Sequence, residues 1–142
     1  MGLKSSKNNN RPLKENAAKK KAKANALYDE GRFDEAILEY KALATMMPED
    51  ACAHFGLSDA YHLNGDLDMA LVEIDEAMRL KPDWPFYHGK KGKILESAGD
   101  REAAIAQFER AVGLKPDYED ALANLERLRG KRKAAGRLGD KA

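Results

Sequence analysis

The sequence predicts an all-α fold of repeated helical hairpins, and a period of 34 residues is the main reason. Pro48, Pro82 and Pro116 stand 34 residues apart. A fixed period of this length is typical of helical solenoids, because each unit is too small to bury its own apolar face. Such an architecture indicates binding rather than catalysis. The other residues that recur at this period are Gly31, Gly65 and Gly99; Ala36, Ala70 and Ala104; and Tyr40, Ile74 and Phe108.

The period divides the chain into three units, at residues 17–50, 51–84 and 85–118. Each unit is predicted to hold two helices around a glycine turn, since glycine takes the positive φ that ends a helix without steric cost. The prolines are expected in turns, because proline cannot continue a helix. The residues expected to cap the following helices are Asp50, Asp83 and Asp117.

The second helices and the segment after the third unit each have an apolar face at helical spacing. Residues 119–130 are predicted to form a helix that covers the last apolar face of the array. Its predicted stripe is Leu122, Leu125 and Leu128. The predicted faces of the second helices are Ala70, Ile74, Ala77 and Met78, and Ala104, Phe108, Ala111 and Val112.

The recurring residues resemble the tetratricopeptide repeat family, whose units have small residues at positions 8, 20 and 27 and proline at position 32. The resemblance covers residues 17–118 and implies a right-handed α-solenoid of about seven helices. The family's tryptophan at position 4 is replaced by Lys20, His54 and His88. Position 8 is Ala24, Ser58 and Gly92, and position 27 is Leu43, Ala77 and Ala111.

Charge separates an acidic middle from two basic ends. Residues 1–23 carry eight Lys or Arg and one Glu, and residues 127–142 carry seven Lys or Arg and one Asp. The segment between them has 22 acidic and 10 basic side chains, although the net charge of the whole chain is only +1. Residues 1–16 and 131–142 are predicted to be basic, mobile tails, because they cannot bury apolar surface. The folded domain is therefore predicted at residues 17–130.

The composition favours a cytoplasmic protein. No run of about 20 apolar residues is present, and the first residues lack the apolar stretch of a secretory signal. Cys52 is the only cysteine, so a reducing compartment is the simpler environment. No cofactor is predicted.

The resemblance implies a concave groove lined by the first helix of each unit. Aromatic side chains on that surface, at Tyr28, Phe55 and Phe86, are the expected anchors for a peptide or helix of a partner protein. The predicted groove residues are Lys21, Asn25, Tyr28, Phe55, Asp59, His62, Phe86, Gly89, Lys90 and Lys93.

One subgroup of the family binds C-terminal carboxylates of chaperones through five groove positions. Lys21 and Asn25 match the first two of these positions. Gly56 and Phe86 replace the next two, and Lys90 lacks the guanidinium fork expected at the fifth. The sequence therefore does not predict a complete carboxylate clamp.

Catalytic and metal chemistry are not predicted. His54 and His88 share repeat position 4, where they are expected to pack against a neighbouring helix, and no third ligand is apparent. No Gly-rich phosphate loop, zinc helix or nucleophile elbow occurs. The sequence indicates a non-catalytic interaction module that helps assemble a complex.

The alternative function is an adaptor that binds nucleic acid or an anionic membrane through its basic ends. Neither tail contains an aromatic residue for base stacking, so nucleic acid is not the expected main partner. Gly2 and Ser6 satisfy the short myristoylation pattern, but this pattern is too common to predict membrane anchoring.

Overall fold

A computed structural model describes the backbone of residues 10–140 and the side chains of residues 10–130. This part of the chain is an all-α solenoid of helix–turn–helix repeats, with seven helices and no strand among the described residues. The helices are α1 (Asn10–Asp29), α2 (Phe33–Met46), α3 (Ala51–Leu63), α4 (Leu67–Leu80), α5 (Pro85–Ser97), α6 (Arg101–Leu114) and α7 (Glu119–Asp140). They form two compact units, with α1–α4 in the first and α5–α7 in the second.

The turns inside the repeats match the prediction. Gly31, Gly65 and Gly99 have φ values of 77°, 85° and 85°, which are the left-handed conformation that favours glycine. Each amide donates to a carbonyl three residues earlier, and the following residue's amide donates to a carbonyl five residues earlier. The three repeat prolines lie in the turns between helices, also as predicted.

Helix capping agrees with the prediction in only one of three places. Asp50 caps α3, because its carboxylate accepts a hydrogen bond of 2.9 Å from the Cys52 amide. Trp84 stands at the N-cap of α5, so Asp83 does not cap that helix. Asp117 lies two residues before α7 and instead accepts from Lys115 Nζ at 3.0 Å. The expectation was wrong because Asp83 and Asp117 lie in register with Glu49, one residue before the capping position.

Small residues allow the two helices of each repeat to pack closely. Ala36, Ala70 and Ala104 are fully buried, as predicted for this position. The larger residue four positions later is also buried in each repeat, at Tyr40, Ile74 and Phe108. Close packing of small and large residues across a helix pair is the standard way to fill the space between helices.

A polar contact joins the two helices of each repeat, and it involves the same two repeat positions every time. In the first repeat Lys20 Nζ lies 3.3 Å from Glu39 Oε2, and Lys23 Nζ lies 3.1 Å from Glu39 Oε1. The contacts at the same register in the next two repeats are His54 Nδ1 to Glu73 Oε2 at 2.8 Å and His88 Nδ1 to Gln107 Oε1 at 3.1 Å. The prediction that position 4 packs against the neighbouring helix is therefore confirmed.

The first and last helices are longer than the repeat phase predicted. Helix α1 begins at Asn10, so the predicted boundary at residue 17 falls inside it. An ion pair of 3.2 Å between Arg11 and Glu15, one helical turn apart, supports this extension. Helix α7 likewise continues past residue 130 to Asp140. Mobility of the two basic ends stays a prediction, and residues 1–9 lie outside the described part of the chain.

Helix α7 covers the core of the second unit with a face one residue away from the predicted one. Ala121, Leu125 and Leu128 are buried with Phe108 and Ala111, whereas Leu122 is 41% exposed. Residues 121, 125 and 128 follow i, i+4, i+7 spacing, while Leu122 lies about 100° around the helix from Ala121. The predicted covering helix is thus present, with Ala121 in place of Leu122.

The side of α7 that flanks this buried face differs from the corresponding side of the earlier first helices. Glu126 occupies the position held by Gly92, and Arg129 occupies the position held by Leu95. In the third repeat, Gly92 is needed for the Phe108 ring, since a Cβ there would lie 2.8 Å from Phe108 Cζ. A glutamate at this position excludes the close approach of another second helix.

Candidate functional site

An open cleft of about 450 Å³ lies between α1 and α3 in the first unit. It contains five of the predicted groove residues, which helical spacing places on facing sides of the cleft. Its lining comprises Lys21, Asn25, Tyr28 and Asp29 from α1, Tyr40 from α2, and Cys52, Phe55, Gly56 and Asp59 from α3.

The base of the cleft is built from Tyr40 and Gly56. A Cβ atom at Gly56 would lie 2.6 Å from Tyr40 Cε1, so only glycine leaves room for the ring in this position. Gly56 was considered from the sequence only as a mismatch to the carboxylate clamp. Its structural role is to admit the phenol ring beneath the cleft.

The Tyr40 hydroxyl orients the side-chain amide of Asn25. It donates a hydrogen bond of 2.5 Å to Asn25 Oδ1. Burial, together with the charges of Asp59 and Asp29, raises the pKa of Tyr40 to about 12, so the phenol keeps its proton at neutral pH. With its oxygen engaged in this way, Asn25 has both amide N–H groups available to an acceptor on a ligand.

Tyr28 links the two sides of the cleft near its acidic end. Burial raises the pKa of Tyr28, and a hydrogen bond with Asp59 raises it further. The phenol therefore stays protonated and can donate to the Asp59 carboxylate. The Tyr28 ring also packs edge-to-face on Phe33, with 5.6 Å between the ring centroids. Tyr28 is thus held in place by contacts with two neighbouring elements.

Charge is distributed unevenly along the cleft. Lys21 lies one helical turn before Asn25, while Asp29 lies one turn after it and shares its end of the cleft with Asp59. The half-buried Phe55 ring supplies apolar surface on α3. The cleft can therefore offer hydrogen-bond donors at one end, carboxylates at the other and an aromatic wall beside them.

The predicted groove residues of the second unit have more contacts within the protein than the sequence suggested. Gly89 is buried, and a Cβ there would lie 2.9 Å from Tyr118 Oη and Cε1. Lys93 Nζ forms an ion pair of 2.6 Å with Asp120 Oδ2. Phe86 stays 38% exposed and contacts the Tyr118 ring, while Lys90 is half-buried.

The remaining chemically notable residues do not assemble into a reactive site. His62 is half-buried on α3 and does not line the cleft, whereas Cys52 is exposed at its edge. Within residues 10–130, no three His, Cys, Asp or Glu side chains come together as metal ligands would.

Four residues that line the cleft are absent from the predicted groove residues, namely Asp29, Tyr40, Cys52 and Gly56. Tyr40 was assigned only to the core, because its repeat position is apolar in the other two units. Its hydroxyl was the available signal, since a buried phenol usually finds a hydrogen-bond partner. Asp29 lies one residue after Tyr28 and is the last residue of α1.

Sequence comparison identifies the family. Residues 27–94 and residues 87–118 each match a family model described as Tetratricopeptide repeat. The chain belongs to the tetratricopeptide repeat family. No match among curated proteins was found.

Solved tetratricopeptide repeat structures share the fold at low sequence identity. The second such domain of human RPAP3, in complex with the HSP70 peptide SGPTIEEVD, has a TM-score of 0.77 at 20% identity and covers 82% of this chain and 98% of its own. The Sgt2 domain from Aspergillus fumigatus has a TM-score of 0.79 at 18% identity, and the match covers 86% of this chain and 82% of the Sgt2 chain. A third similar structure is the Yersinia enterocolitica type III secretion chaperone SycD in complex with a peptide of the translocator YopD. It has a TM-score of 0.76 at 18% identity, and the match covers 83% of this chain and 95% of the SycD chain.

No helix in the described part of this tetratricopeptide repeat protein is both long and apolar enough to cross a membrane.

Proposed function

We propose that this protein is a non-catalytic interaction module that binds a peptide or helix of a partner protein and helps assemble a complex. The observation that carries the proposal is the cleft between α1 and α3, which brings together Lys21, Asn25, Tyr28, Phe55 and Asp59. Two of the similar tetratricopeptide repeat structures are complexes with peptides, which supports the same use of the fold here.

The chemistry of the cleft defines what such a segment needs. Carbonyl or carboxylate oxygens fit the end that holds Lys21 and Asn25, because that end offers only donors. A basic or hydroxyl-bearing side chain fits the end that holds Asp29 and Asp59. An apolar side chain between them would pack on the Phe55 ring, where aromatic anchors typically supply much of the binding energy.

His62 is proposed as a further binding residue of the first unit. In the second unit, the first helix of the third repeat is proposed by itself as a binding surface. Phe86, Lys90 and Lys93 keep the roles expected from the sequence, with Phe86 as the apolar anchor. Because Gly89 is buried, its proposed contribution is to seat the Tyr118 ring beside that helix.

Peptide selection on the intact protein tests the proposal without a known partner. A phage-displayed library of random peptides is selected on the full chain, and the affinity of each selected peptide is measured by fluorescence anisotropy. We expect Phe55→Ala to weaken binding at least tenfold while the melting temperature stays near that of the wild type.

The matched control is Leu38→Ala, which removes an apolar side chain that is 66% exposed and does not line the cleft. This variant should bind the selected peptides with wild-type affinity. Wild-type affinity of Phe55→Ala, or failure to select any peptide, would contradict the proposed use of the cleft.

The second candidate function is binding of nucleic acid or an anionic membrane by the basic ends. The charge of residues 1–23 and 127–142 supports it, although Lys20 and Lys23 both pair with Glu39 inside the protein. Binding through phosphates should weaken by orders of magnitude from low to moderate salt, whereas binding in the cleft should change modestly. A steep salt dependence that disappears when both ends are deleted would favour this alternative.

We also propose a cytoplasmic location. The single Cys52 is consistent with a reducing compartment, and fractionation of cells that express the full chain tests this directly.

A further inference from the structure

Three aromatic rings form a row in the second unit, of which two are exposed and the third, Tyr118, is half-buried. Trp84, just before α5, packs edge-to-face on Phe86 with 5.5 Å between the ring centroids. Phe86 packs in the same way on Tyr118, just before α7, at 4.9 Å. Trp84 is 46% exposed and Phe86 38% exposed, although both are large apolar side chains. Contiguous exposed rings of this kind usually mark a binding surface.

The row also carries two hydrogen-bond donors. Within residues 10–130, the described side-chain contacts of Trp84 and Tyr118 are ring contacts rather than hydrogen bonds of the indole N–H or the hydroxyl. Burial raises the pKa of Tyr118, so its phenol is protonated at neutral pH and can donate. Exposed rings beside available donors suit a ligand that combines apolar rings with free carbonyl groups.

The charges beside the row are largely neutralised within the protein. Lys93 pairs with Asp120 at 2.6 Å, and Lys115 pairs with Asp117 at 3.0 Å. Lys81 Nζ lies 5.6 Å from the centre of the Trp84 ring, so a cation already occupies that position. The surface therefore favours an uncharged ligand.

We propose that Trp84, Phe86 and Tyr118 form a docking surface for an uncharged proline-rich segment in the polyproline II conformation. A polyproline II helix makes no internal hydrogen bonds, so its carbonyl groups are available to the Trp84 and Tyr118 donors. Its proline rings pack on aromatic side chains, and its preformed backbone loses little entropy on binding. None of these three rings lines the cleft between α1 and α3. Because Phe86 is also the anchor proposed above for the second unit, the inference rests on that part of the proposed function and names its ligand class.

The fluorescence of Trp84 reports directly on this surface, because it is the only tryptophan in the chain. The probe is acetylated, amidated decaproline, titrated into the full-length protein up to low-millimolar concentration. We expect a saturable shift of the emission to shorter wavelength as the indole leaves water. A glycine–serine peptide of equal length should cause no shift.

Two conservative variants test the donors separately from the rings. Binding of fluorescein-labelled decaproline is measured by anisotropy for Tyr118→Phe and Trp84→Phe, which keep an aromatic ring but lose the donor. Each should weaken binding about three- to tenfold, since one hydrogen bond typically contributes about 0.5–1.5 kcal/mol. Tyr61→Phe, which removes a hydroxyl in the first unit from a residue that does not line the cleft, is the matched control and should bind normally.

Three outcomes would overturn the inference. One is the absence of a saturable emission shift with decaproline. Another is unchanged affinity in both donor variants when circular dichroism shows that they are folded. The third is an emission shift with vesicles containing phosphatidylserine but none with decaproline, which would assign the row to a membrane surface. Phe55→Ala changes only the cleft of the first unit and should leave decaproline binding unaffected, so failure of the cleft and failure of this surface can be distinguished.

Discussion

The second and third repeats place different chemistry on the same backbone frame. In the second repeat, His54 contacts the Glu73 carboxylate and the Pro48 carbonyl. In the third, His88 contacts the neutral Gln107 amide and the Pro82 carbonyl. Each of these residues in the second repeat lies 34 positions before its counterpart in the third. The repeat therefore fixes where the side chains meet. It leaves open whether the contact is ionic or neutral.

The packing beneath these contacts differs in a compensating way. Ser58 in the second repeat donates a buried hydrogen bond of 2.7 Å to the Ala70 carbonyl, with Ile74 as the large partner. The third repeat has Gly92 and Phe108 instead, and the ring approaches the glycine closely. A smaller residue on the first helix thus accompanies a larger one on the second. Total volume, rather than residue identity, is what the frame requires.

The largest expected effect comes from removing the large member of such a pair. Phe108→Ala should lower the free energy of unfolding by about 3–5 kcal/mol, because it leaves a cavity at a fully buried site. Gly92→Ser and Phe108→Ile together transfer the pair of the second repeat into the third. Urea denaturation of both single variants and the double variant measures their coupling.

The double variant should be more stable than the two single effects predict, by about 0.5–3 kcal/mol. Strict additivity would show that the two positions do not compensate each other, and the comparison of the repeats would then lose its physical basis.

A smaller effect is expected at the alanines that the two repeats share. Ala70→Leu and Ala104→Leu should each lower the free energy of unfolding by about 1–3 kcal/mol, because both sites are fully buried and a larger side chain overpacks them. Differential scanning calorimetry measures the change in melting temperature. An unchanged midpoint in both variants would mean that these positions do not lie at close helix contacts.

The first repeat extends the comparison, since Tyr40 occupies the position of Ile74 and Phe108. Tyr40→Phe gives this repeat the residue of the third and removes the hydrogen bond to Asn25. We expect a loss of about 0.5–1.5 kcal/mol in the free energy of unfolding, and weaker binding of cleft-selected peptides. Tyr61→Phe is the control, because the described contacts of Tyr61 are apolar and cationic rather than hydrogen bonds. Equal losses in both variants would contradict a specific role of the Tyr40 hydroxyl.

The smallest predicted effect is a pH dependence that belongs to the second repeat. Burial lowers the pKa of His54, but hydrogen bonds to Glu73 and to the Pro48 carbonyl, with the charges of Glu73 and Glu76, raise it above its ordinary value overall. The resulting stabilisation is present below the unfolded pKa and is lost as pH rises through the folded pKa. The melting temperature should therefore fall as pH rises across that window.

Replacing the partner of His54 tests this assignment. Glu73→Gln gives the second repeat the neutral pair of the third and should reduce the pH dependence, because the Glu73 hydrogen bond and charge no longer raise the pKa of His54. Melting curves from pH 5 to pH 9, and nuclear magnetic resonance titration of His54, provide the measurements. A pH profile that does not change in Glu73→Gln would assign the effect to another group.

Much of the fold was predictable because its determinants repeat. Each glycine with positive φ and each buried alanine appears three times at one spacing, so chance agreement was improbable. The errors arose where a residue's role depended on a shift of one position. Asp83 and Leu122 each lie one residue away from the position that caps or covers, and composition alone does not distinguish neighbouring positions.

The residues that line the cleft were predictable only in part. The groove positions implied by the family resemblance include Lys21, Asn25, Tyr28, Phe55 and Asp59, which the cleft brings together. The hydrogen bond from Tyr40 to Asn25 was not predictable. It depends on how closely the Tyr40 ring approaches α3, and this distance depends on the space that Gly56 leaves. Contacts of this kind come from tertiary packing, and a period in the sequence does not contain them.

The polar outer face of α7 gives the array a defined length. A chain of identical hairpins is an open-ended polymer, because the last unit always offers the surface on which another could add. Glu126 and Arg129 interrupt that surface, where Gly92 and Leu95 would continue it. Restoring the interior pattern with Glu126→Gly and Arg129→Leu would leave an apolar end beside Leu122. An apolar end of this kind can contact a different surface on the next molecule. Such head-to-tail contacts do not form a closed ring, so molecules continue to add and a fibre results.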